Sequence, residues 1–360
     1  MKSKTAVAIS GGVDSLVTAF LLKQQGHEVI GIHFVTGFET DSPSLRKGQR
    51  LPLEKHPSVA AMKVMEDQLG IPIFVQDCCR EFQETVVRYF IDSYLAGKTP
   101  NPCLICNPGI KFDTVRMYAQ KLGAETLATG HYVNKKIDTN GKAHLFKGSD
   151  PQKDQSYFLA FLSQEQLLGA CFPLGAMEKD AVIGIARDNH LQPVTRKESQ
   201  DICFTQGKSY MEIFQDAATD KGPGPITDRT GNVIGEHRGL HLFTVGQRKG
   251  INCPAPKPYY VLELDTKANR LIVGEKEDLL SSVCTVERIS WINRPAASPI
   301  SACVKIRYQH EPAPAKIEFH QRQTGTIWFD TPQQAITPGQ GAVFYNGDEV
   351  IGGGWITGNR

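Results

Sequence analysis

The sequence lacks any long hydrophobic run. None of its 360 residues falls in a stretch approaching the roughly 20 apolar residues that cross a membrane. The short apolar run near the start, TAVAIS, breaks at Gly11 and Gly12, which is not the pattern of a secretory signal. The cysteine count is nine, an odd number. Together these features predict a cytoplasmic protein with reduced thiols and no membrane partner, in which any disulfide would be catalytic rather than structural.

The sequence also lacks a strong charge bias, an internal repeat and a low-complexity tract. Its 40 basic and 38 acidic residues leave a formal net charge of +2. Such a balance neither requires nor excludes a nucleic-acid partner, which would have to be met by local basic patches. The length favours two or three domains over a single hydrophobic core.

Strand and helix patterns alternate over the first two hundred residues. TAVAIS, HEVIGIHFV and IPIFVQD have strand character, and DSLVTAFLLKQQG and SVAAMKVMEDQLG lie between them with helical spacing. This order predicts an α/β domain with a parallel sheet covered on both faces, which binds ligands beyond the carboxyl ends of its strands. Short strands with Gly- and Asn-bearing turns follow. We therefore predict a parallel-sheet domain at 1–205, a small β-rich central domain at 206–278 and an all-β barrel domain at 279–360.

The segment SGGVDS, Ser10 to Ser15, directly follows the first strand. Glycines at the N-terminus of a helix let backbone N–H groups approach phosphate oxygens, and Asp14 would hold a Mg²⁺ ion bound to them. The Walker A spacing is absent. Two glycines alone would indicate an ordinary strand–helix turn, but the full motif resembles the pyrophosphate loop (PP-loop) of the ATP pyrophosphatases. Those enzymes cleave ATP to AMP and pyrophosphate while adenylating a substrate oxygen.

The segment TPNPCLICNPGIKF, residues 99–112, resembles the tRNA-specific 2-thiouridylases, which sulfurate the wobble uridine of tRNA. Further similar motifs follow in the same order: ATGHY (128–132), KDQSYFL (153–159), SQDICF (199–204), GLHLFTVGQRKG (239–250), KIRYQ (305–309) and TPGQGAVFYNGDEVIGGG (337–354). The resemblance spans nearly the whole chain. It implies an ATP-pyrophosphatase domain, a small central domain and a C-terminal β-barrel. It also implies ATP and Mg²⁺ as cofactors, tRNA as partner, and a sulfur donor such as a cysteine desulfurase or a sulfur-relay protein.

The proline, asparagine and glycine residues of TPNPCLICNPGIKF predict a loop, and the cysteine pair in this loop has several possible roles. Cys103 and Cys106 could be half of a zinc site, a redox pair, part of an iron–sulfur site, or a nucleophile with an incidental neighbour. Thiolates attack well and carry a terminal sulfur as a persulfide, so two cysteines suffice for sulfur transfer. The resemblance makes Cys106 the nucleophile and Cys203 the persulfide carrier.

One position departs from the family pattern. The family carries an aspartate with an acid/base role where this chain has Cys103, and a thiol cannot act as a permanently charged carboxylate near neutral pH. Two alternatives remain: a persulfide relay between Cys106 and Cys203, or thiolation on a [4Fe-4S] cluster held by all three cysteines. Zinc is less favoured because no fourth ligand is apparent. The neighbouring Cys78 and Cys79 are expected to pack at a strand end.

The resemblance also implies the substrate-binding residues. For ATP they are Ala8, Ile9, Ser10, Gly11, Gly12, Val13, Asp14, Ser15, Phe34 and Gly130. For tRNA they are Asn101, Pro102, Cys103, His131, Lys153, Asp154, Gln155, Arg307, Tyr308 and Gln340. Taken alone, KIRYQ would be an ordinary strand and His131 a structural hydrogen-bonding residue. The polar segment 36–57 is expected to be a loop and is assigned no role. The rival functions are another PP-loop synthetase and a non-catalytic tRNA-binding protein.

Overall fold

The computed structural model describes residues 4–39, 53–194, 202–205, 221–254, 256–320 and 323–359. It forms two compact units, each assembled from separate stretches of the chain. Unit 1 comprises Met1–Val86, Cys103–Lys208 and Asp348–Val350, and unit 2 comprises Val87–Pro102, Ser209–Gly347 and Ile351–Arg360. The predicted domain boundaries near residues 206 and 279 stay predictions. Most of the predicted loop at 36–57, and residues 199–201 of the SQDICF motif, lie outside the described residues.

The helices and strands are numbered along the chain. Within the described ranges the α-helices are α1 Val13–Gln24, α2 Pro57–Leu69, α3 Cys79–Phe82, α4 Arg88–Leu95, α5 Cys103–Cys106, α6 Arg116–Lys121, α7 Gln164–Leu168 and α8 Lys179–Asp188. The strands are β1 Lys4–Ala8, β2 Glu28–Val35, β3 Ile73–Asp77, β4 Thr126–Ala128, β5 Val133–Ile137, β6 Ala143–Lys147, β7 Ala170–Cys171, β8 Gly224–Thr227, β9 Val233–His237, β10 Tyr260–Asp265, β11 Arg270–Gly274, β12 Leu280–Trp291, β13 Ile300–Lys305, β14 Ala313–Phe319, β15 Gly325–Gln334, β16 Gly341–Asn346 and β17 Glu349–Gly358. Among these helices, none is long and apolar enough to cross a membrane.

Unit 1 is built on a parallel sheet with strand order β3-β2-β1-β4-β7. The middle of the central strand β1, residues 5–7, is buried, and Val7 pairs with Gly31 on one side and with Ala128 on the other. Helices α1 and α2 pack their apolar faces against this sheet through Leu16 and Met65. The predicted α/β parallel-sheet architecture is confirmed.

The cysteine-rich segment is helical. The prediction of a loop there was wrong: α5 continues directly into a π-helix, Asn107–Val115, and then into α6. Proline and glycine at 108–109 suggested a loop, but the proline lies in the first turn of the π-helix, where a missing N–H group is tolerated. Tertiary contacts fix this winding, since the buried Asn107 donates from Nδ2 to the Phe158 carbonyl at 3.0 Å. Such a contact cannot be foreseen from local sequence.

A β-hairpin interrupts the strand–helix alternation of unit 1. Strands β5 and β6 pair antiparallel, with Lys135 opposite Leu145. The first two residues of β17 extend this hairpin, with Glu349 opposite Phe146. The sequence alternation did not predict it, because β5 reads as a polar segment.

Unit 2 contains two β structures. The first is a four-stranded sheet with order β10-β11-β8-β9 around a small core that includes Val261 and Leu271. The second has strand order β12-β15-β14-β13-β16-β17, and pairing of β12 with β17 closes it into an antiparallel barrel. Its interior is filled by apolar side chains such as Ile317 and Phe344. The predicted β-rich segment and C-terminal barrel are confirmed.

Candidate active site

The SGGVDS loop lies where β1 ends and α1 begins, as predicted. Gly11 adopts φ +89°, a conformation that favours glycine, and Gly12 is the helix N-cap without a side-chain cap. Ser15 Oγ accepts from the Ser10 backbone N–H at 3.2 Å and donates to the Gly12 carbonyl at 3.0 Å. The loop is therefore closed by its own serines, while first-turn N–H groups of α1 are left for an anion.

Gly130 packs directly on this loop. A Cβ atom at this position would lie 2.9 Å from the Asp14 carbonyl carbon and 3.0 Å from the Ser15 backbone nitrogen. Both are backbone atoms at the start of α1 and cannot easily move aside. The structure thus requires glycine here for packing against the loop, while direct contact of Gly130 with ATP stays a prediction.

The Asp14 carboxylate is bound by two side chains that the sequence did not indicate. Lys179 Nζ lies 2.7 Å from Oδ1 and 2.8 Å from Oδ2, and the Tyr132 hydroxyl donates to Oδ1 at 2.7 Å. Lys179 and Tyr132 are both buried. Because both carboxylate oxygens bind Lys179, the predicted Mg²⁺ contact of Asp14 does not fit this arrangement. Mg²⁺ is therefore expected on the phosphates of the Mg·ATP substrate and not on Asp14.

His33 is a further polar residue beside the loop. Its Nδ1 lies 2.8 Å from the Ile9 carbonyl, which can only accept, so Nδ1 carries the proton. Its Nε2 is buried without a hydrogen-bond partner among the described residues. Burial also lowers the pKa of His33, which keeps the ring neutral. His33 thus presents a lone pair next to the predicted nucleotide contact Phe34, and no sequence motif pointed to it.

Cys103, Cys106 and Cys203 come from two distant segments of the chain and interact electrostatically in unit 1. Cys106 interacts with Cys103 and with Cys203. The charged form of each thiol is poorly hydrated among the surrounding protein atoms. Burial accordingly raises the pKa of Cys106 to about 12 and of Cys203 to about 11, and raises that of Cys103 as well. Lys111, on the π-helix that follows Cys106, opposes this rise at all three thiols.

An aromatic cluster anchors the residue that follows Cys203. The Phe204 ring lies 5.7 Å from the rings of Phe38 and Phe82, and those two rings are 5.9 Å apart. Phe204 is buried, and the neighbouring Cys203 is accessible at the surface although protein atoms surround much of its thiol. The cluster therefore fixes the Cys203 segment to the core.

The other thiols near this site are structural. Cys78 is fully buried directly after β3, and burial raises its pKa to about 12. The backbone N–H of Cys79 donates to the Asp77 carboxylate at 2.8 Å. These positions agree with the predicted packing at a strand end. Across the described part of the chain, no group of three or more His, Cys, Asp or Glu side chains is placed to hold a metal ion.

The predicted tRNA contacts of unit 1 differ in their surroundings. Asp154 is buried, and its carboxylate accepts from the Gly148 and Ser156 N–H groups at 3.0 and 3.1 Å. Gln155 Oε1 accepts from the Tyr132 N–H. These two side chains shape their own loop, and Lys153 is the cation beside them. His131 Nδ1 lies 2.7 Å from Thr129 Oγ1, and burial lowers its pKa well below the usual value, so any contact with RNA would use a neutral ring.

The predicted tRNA contacts of unit 2 lie in loops. Arg307 is exposed in the turn that follows β13, and Tyr308 has Lys305 Nζ 5.5 Å from its ring centroid. KIRYQ is therefore not a strand throughout. Gln340 Nε2 donates to the Thr99 carbonyl at 3.0 Å and to that of Pro100 at 3.3 Å. Its amide nitrogen supports the segment leading to Asn101, and contact of Gln340 with RNA stays a prediction.

Comparisons with known proteins match nearly the entire chain. The tRNA methyl transferase HUP domain family matches residues 3–207, the tRNA methyl transferase PRC-barrel domain family residues 212–275, and the aminomethyltransferase β-barrel domain family residues 281–356. The tRNA-specific 2-thiouridylase MnmA of Desulfosudis oleivorans is 50% identical over 98% of this chain and 94% of its own length. Proteins of the same name from Magnetococcus marinus and Geobacter metallireducens are 43% and 41% identical, over 98% and 99% of this chain and 98% and 97% of their own lengths.

Proposed function

This chain belongs to the tRNA-specific 2-thiouridylase family, and from that premise we propose that it replaces the C2 oxygen of a tRNA wobble uridine by sulfur through Cys106 and Cys203. The observation that carries the proposal is the convergence of these two thiols in the unit that holds the nucleotide loop. The two cysteines come from separate segments, and packing of the Phe204 ring on Phe82 holds the segment that carries Cys203.

The first step activates the oxygen. The loop Ser10–Ser15 and the N-terminus of α1 bind the phosphates of Mg·ATP, and the uridine O2 attacks the α-phosphate. Pyrophosphate leaves, and the C2 oxygen is now bonded to AMP, which makes it a leaving group. Lys179 neutralises Asp14 in this loop, so the carboxylate does not repel the incoming phosphates.

The second step transfers sulfur. Cys203 carries a sulfane sulfur from a donor protein, and the Cys106 thiolate attacks Cys203 Sγ. The Sγ–Sγ bond forms as the sulfane S–S bond breaks, so the released hydrosulfide bonds to C2 while the C2–O bond to AMP breaks. The products are 2-thiouridine, AMP and a Cys106–Cys203 disulfide. A thiol reductant must supply two electrons before the next cycle.

Proton transfer is needed because both thiols are protonated at neutral pH. Cys103 neighbours both of them, and its own raised pKa keeps it a neutral thiol. Cys103 therefore relays a proton rather than providing a fixed negative charge, while Lys111 stabilises each thiolate as it forms. The [4Fe-4S] alternative has no support from the relatives.

The test uses unmodified tRNA with a wobble uridine, Mg·ATP and a persulfide donor. We expect tRNA-dependent formation of AMP and pyrophosphate, with one 2-thiouridine for each AMP. Cys106→Ser and Cys203→Ser should abolish thiolation while tRNA binding is retained. Thiolation by either variant would contradict the proposal. AMP formation that needs a small molecule instead of tRNA would indicate another PP-loop synthetase, and tRNA binding without AMP formation would indicate a non-catalytic binder.

The same protein preparation distinguishes the [4Fe-4S] cluster from the persulfide relay. Iron and acid-labile sulfide are measured on protein purified without oxygen, in parallel with Cys103→Ala. The relay predicts thiolation by iron-free protein. If the unsubstituted protein contained stoichiometric iron, and Cys103→Ala lost both the iron and thiolation, the persulfide relay would be rejected in favour of the cluster.

A further inference from the structure

One residue of the barrel adopts a backbone conformation that non-glycine residues rarely occupy. Arg288 has φ +48° within β12. It lies where the pairing of β12 with β17 shifts register between Glu287 and Ser290, which is a β-bulge. Left-handed conformations cost free energy for an arginine and are concentrated at functional positions. The bulge turns the Arg288 side chain to the exterior, where it is exposed.

The exposed guanidinium is held in place by an aromatic face. Arg288 Cζ lies 5.2 Å from the ring centroid of Trp355, which is buried in β17. Trp355 in turn packs edge-to-face against Tyr89 of α4, with ring centroids 5.5 Å apart. An arginine stacked on tryptophan loses little further side-chain freedom when it binds a ligand, and its N–H groups still point outward.

Tyr89 joins this stack to two predicted tRNA contacts within unit 2. Its phenol is hydrogen-bonded to the Asn101 backbone and lies 3.5 Å from the Gly339 carbonyl. Gln340 follows Gly339 and donates to the Thr99 and Pro100 carbonyls. Arg288 interacts electrostatically with the same phenol. The guanidinium therefore stands beside the segments that present Asn101 and Gln340.

The local charge pattern leaves this cation available to a ligand. The neighbouring carboxylate, Glu287, lies 3.6 Å from Lys98 Nζ. Within the part of the chain that the structure describes, Arg288 itself has no ion-pair partner. A stacked, exposed arginine without a carboxylate partner suits the phosphate oxygens of a nucleic acid.

We propose that Arg288 binds a backbone phosphate of the tRNA substrate, and that the bulge in β12 exists to present it over Trp355. This inference rests on the proposed function, since it takes tRNA to be the partner. The contact would contribute to affinity and orientation without reading sequence, because a phosphate is the same for every nucleotide.

The experiment measures tRNA affinity at several salt concentrations for Arg288→Asn. Asparagine tolerates the left-handed backbone, so the bulge is retained while the cation is removed. We expect about a five- to tenfold rise in the tRNA Kd and a salt-dependence slope reduced by about one. The KM for tRNA in the thiolation assay should rise in parallel with the Kd.

The matched control is Arg294→Asn. Arg294 is also exposed on the barrel with its Cζ 5.9 Å from the Phe319 ring, yet it belongs to a different aromatic pair. Its substitution should leave the affinity and the salt slope unchanged. Equal losses in both variants, or no loss in Arg288→Asn with an unchanged melting temperature, would overturn the inference. Absence of tRNA binding by the unsubstituted protein would instead reject the proposed function.

Discussion

Lys179 and Asp14 form a bidentate ion pair at the nucleotide loop although they are 165 positions apart in the sequence, with Nζ–O distances of 2.7 and 2.8 Å. The ammonium is buried and the carboxylate is partly exposed. The pair joins the start of α8 to the start of α1, and it places a neutralised carboxylate at the position where phosphates are expected to bind.

Loss of this pair should weaken ATP binding. In Lys179→Met the Asp14 carboxylate would stand uncompensated beside the phosphates, and we expect the KM for ATP to rise about tenfold, equivalent to about 1.4 kcal/mol. The measurement is tRNA-dependent AMP formation at varied Mg·ATP. Asp14→Asn combined with Lys179→Met removes both charges and should restore much of the ATP affinity. No change in KM for the single variant would show that the pair does not act on the nucleotide.

Gly130 should tolerate no side chain. Gly130→Ala places a methyl group 2.9 Å from backbone carbon and 3.0 Å from backbone nitrogen at the start of α1, so the loop must shift. We expect a loss of about 1–3 kcal/mol in the free energy of unfolding and a higher KM for ATP. Denaturant unfolding and AMP formation measure the two effects.

Gly184→Ala provides the control in the same unit. A Cβ at Gly184 in α8 meets nothing within 4 Å, so alanine should be neutral or stabilise the helix by up to about 1 kcal/mol. If both alanine variants behaved alike, the close contact at Gly130 would not be the cause.

We expect Phe204 to be needed for sulfur transfer but not for adenylation. Phe204→Ala removes the ring that anchors the Cys203 segment to Phe38 and Phe82. We expect tRNA-dependent AMP formation to continue while 2-thiouridine per AMP falls at least about tenfold, because a misplaced reacting group costs large factors in rate. Phe204→Leu should recover part of the yield. An unchanged ratio of thiouridine to AMP in Phe204→Ala would reject the anchoring role.

The cysteine pKa values predict slow alkylation at neutral pH. The thiolate is the nucleophile, and burial raises the pKa of Cys203 to about 11. The alkylation rate by iodoacetamide, followed by mass spectrometry of the Cys203 peptide, should rise about tenfold per pH unit up to that pKa. Lys111→Met should lower the rate at a given pH, because the opposing cation is removed. An alkylation rate that stops rising near pH 8 would show that the pKa of this thiol is not raised.

The sequence by itself determined the nucleotide loop and the architecture around it. A strand of apolar residues, then Ser10–Ser15, then a helix is a local pattern that needs no distant contact. The end of α2 at Gly70, in the left-handed conformation, follows from the same local chemistry. The candidate catalytic cysteines could also be identified from the sequence, because a thiol performs only a limited range of chemistry.

Only the tertiary structure decided how these parts are supported. Asn107 bonds to Phe158 and thereby fixes a helix where proline and glycine indicated a loop. No sequence motif indicated Lys179, which folding buries against Asp14. Hydrogen-bond partners and solvation depend on which segments meet in space, and a one-dimensional pattern does not contain that information. The raised thiol pKa values of Cys106 and Cys203 and the strained, stacked Arg288 have the same origin.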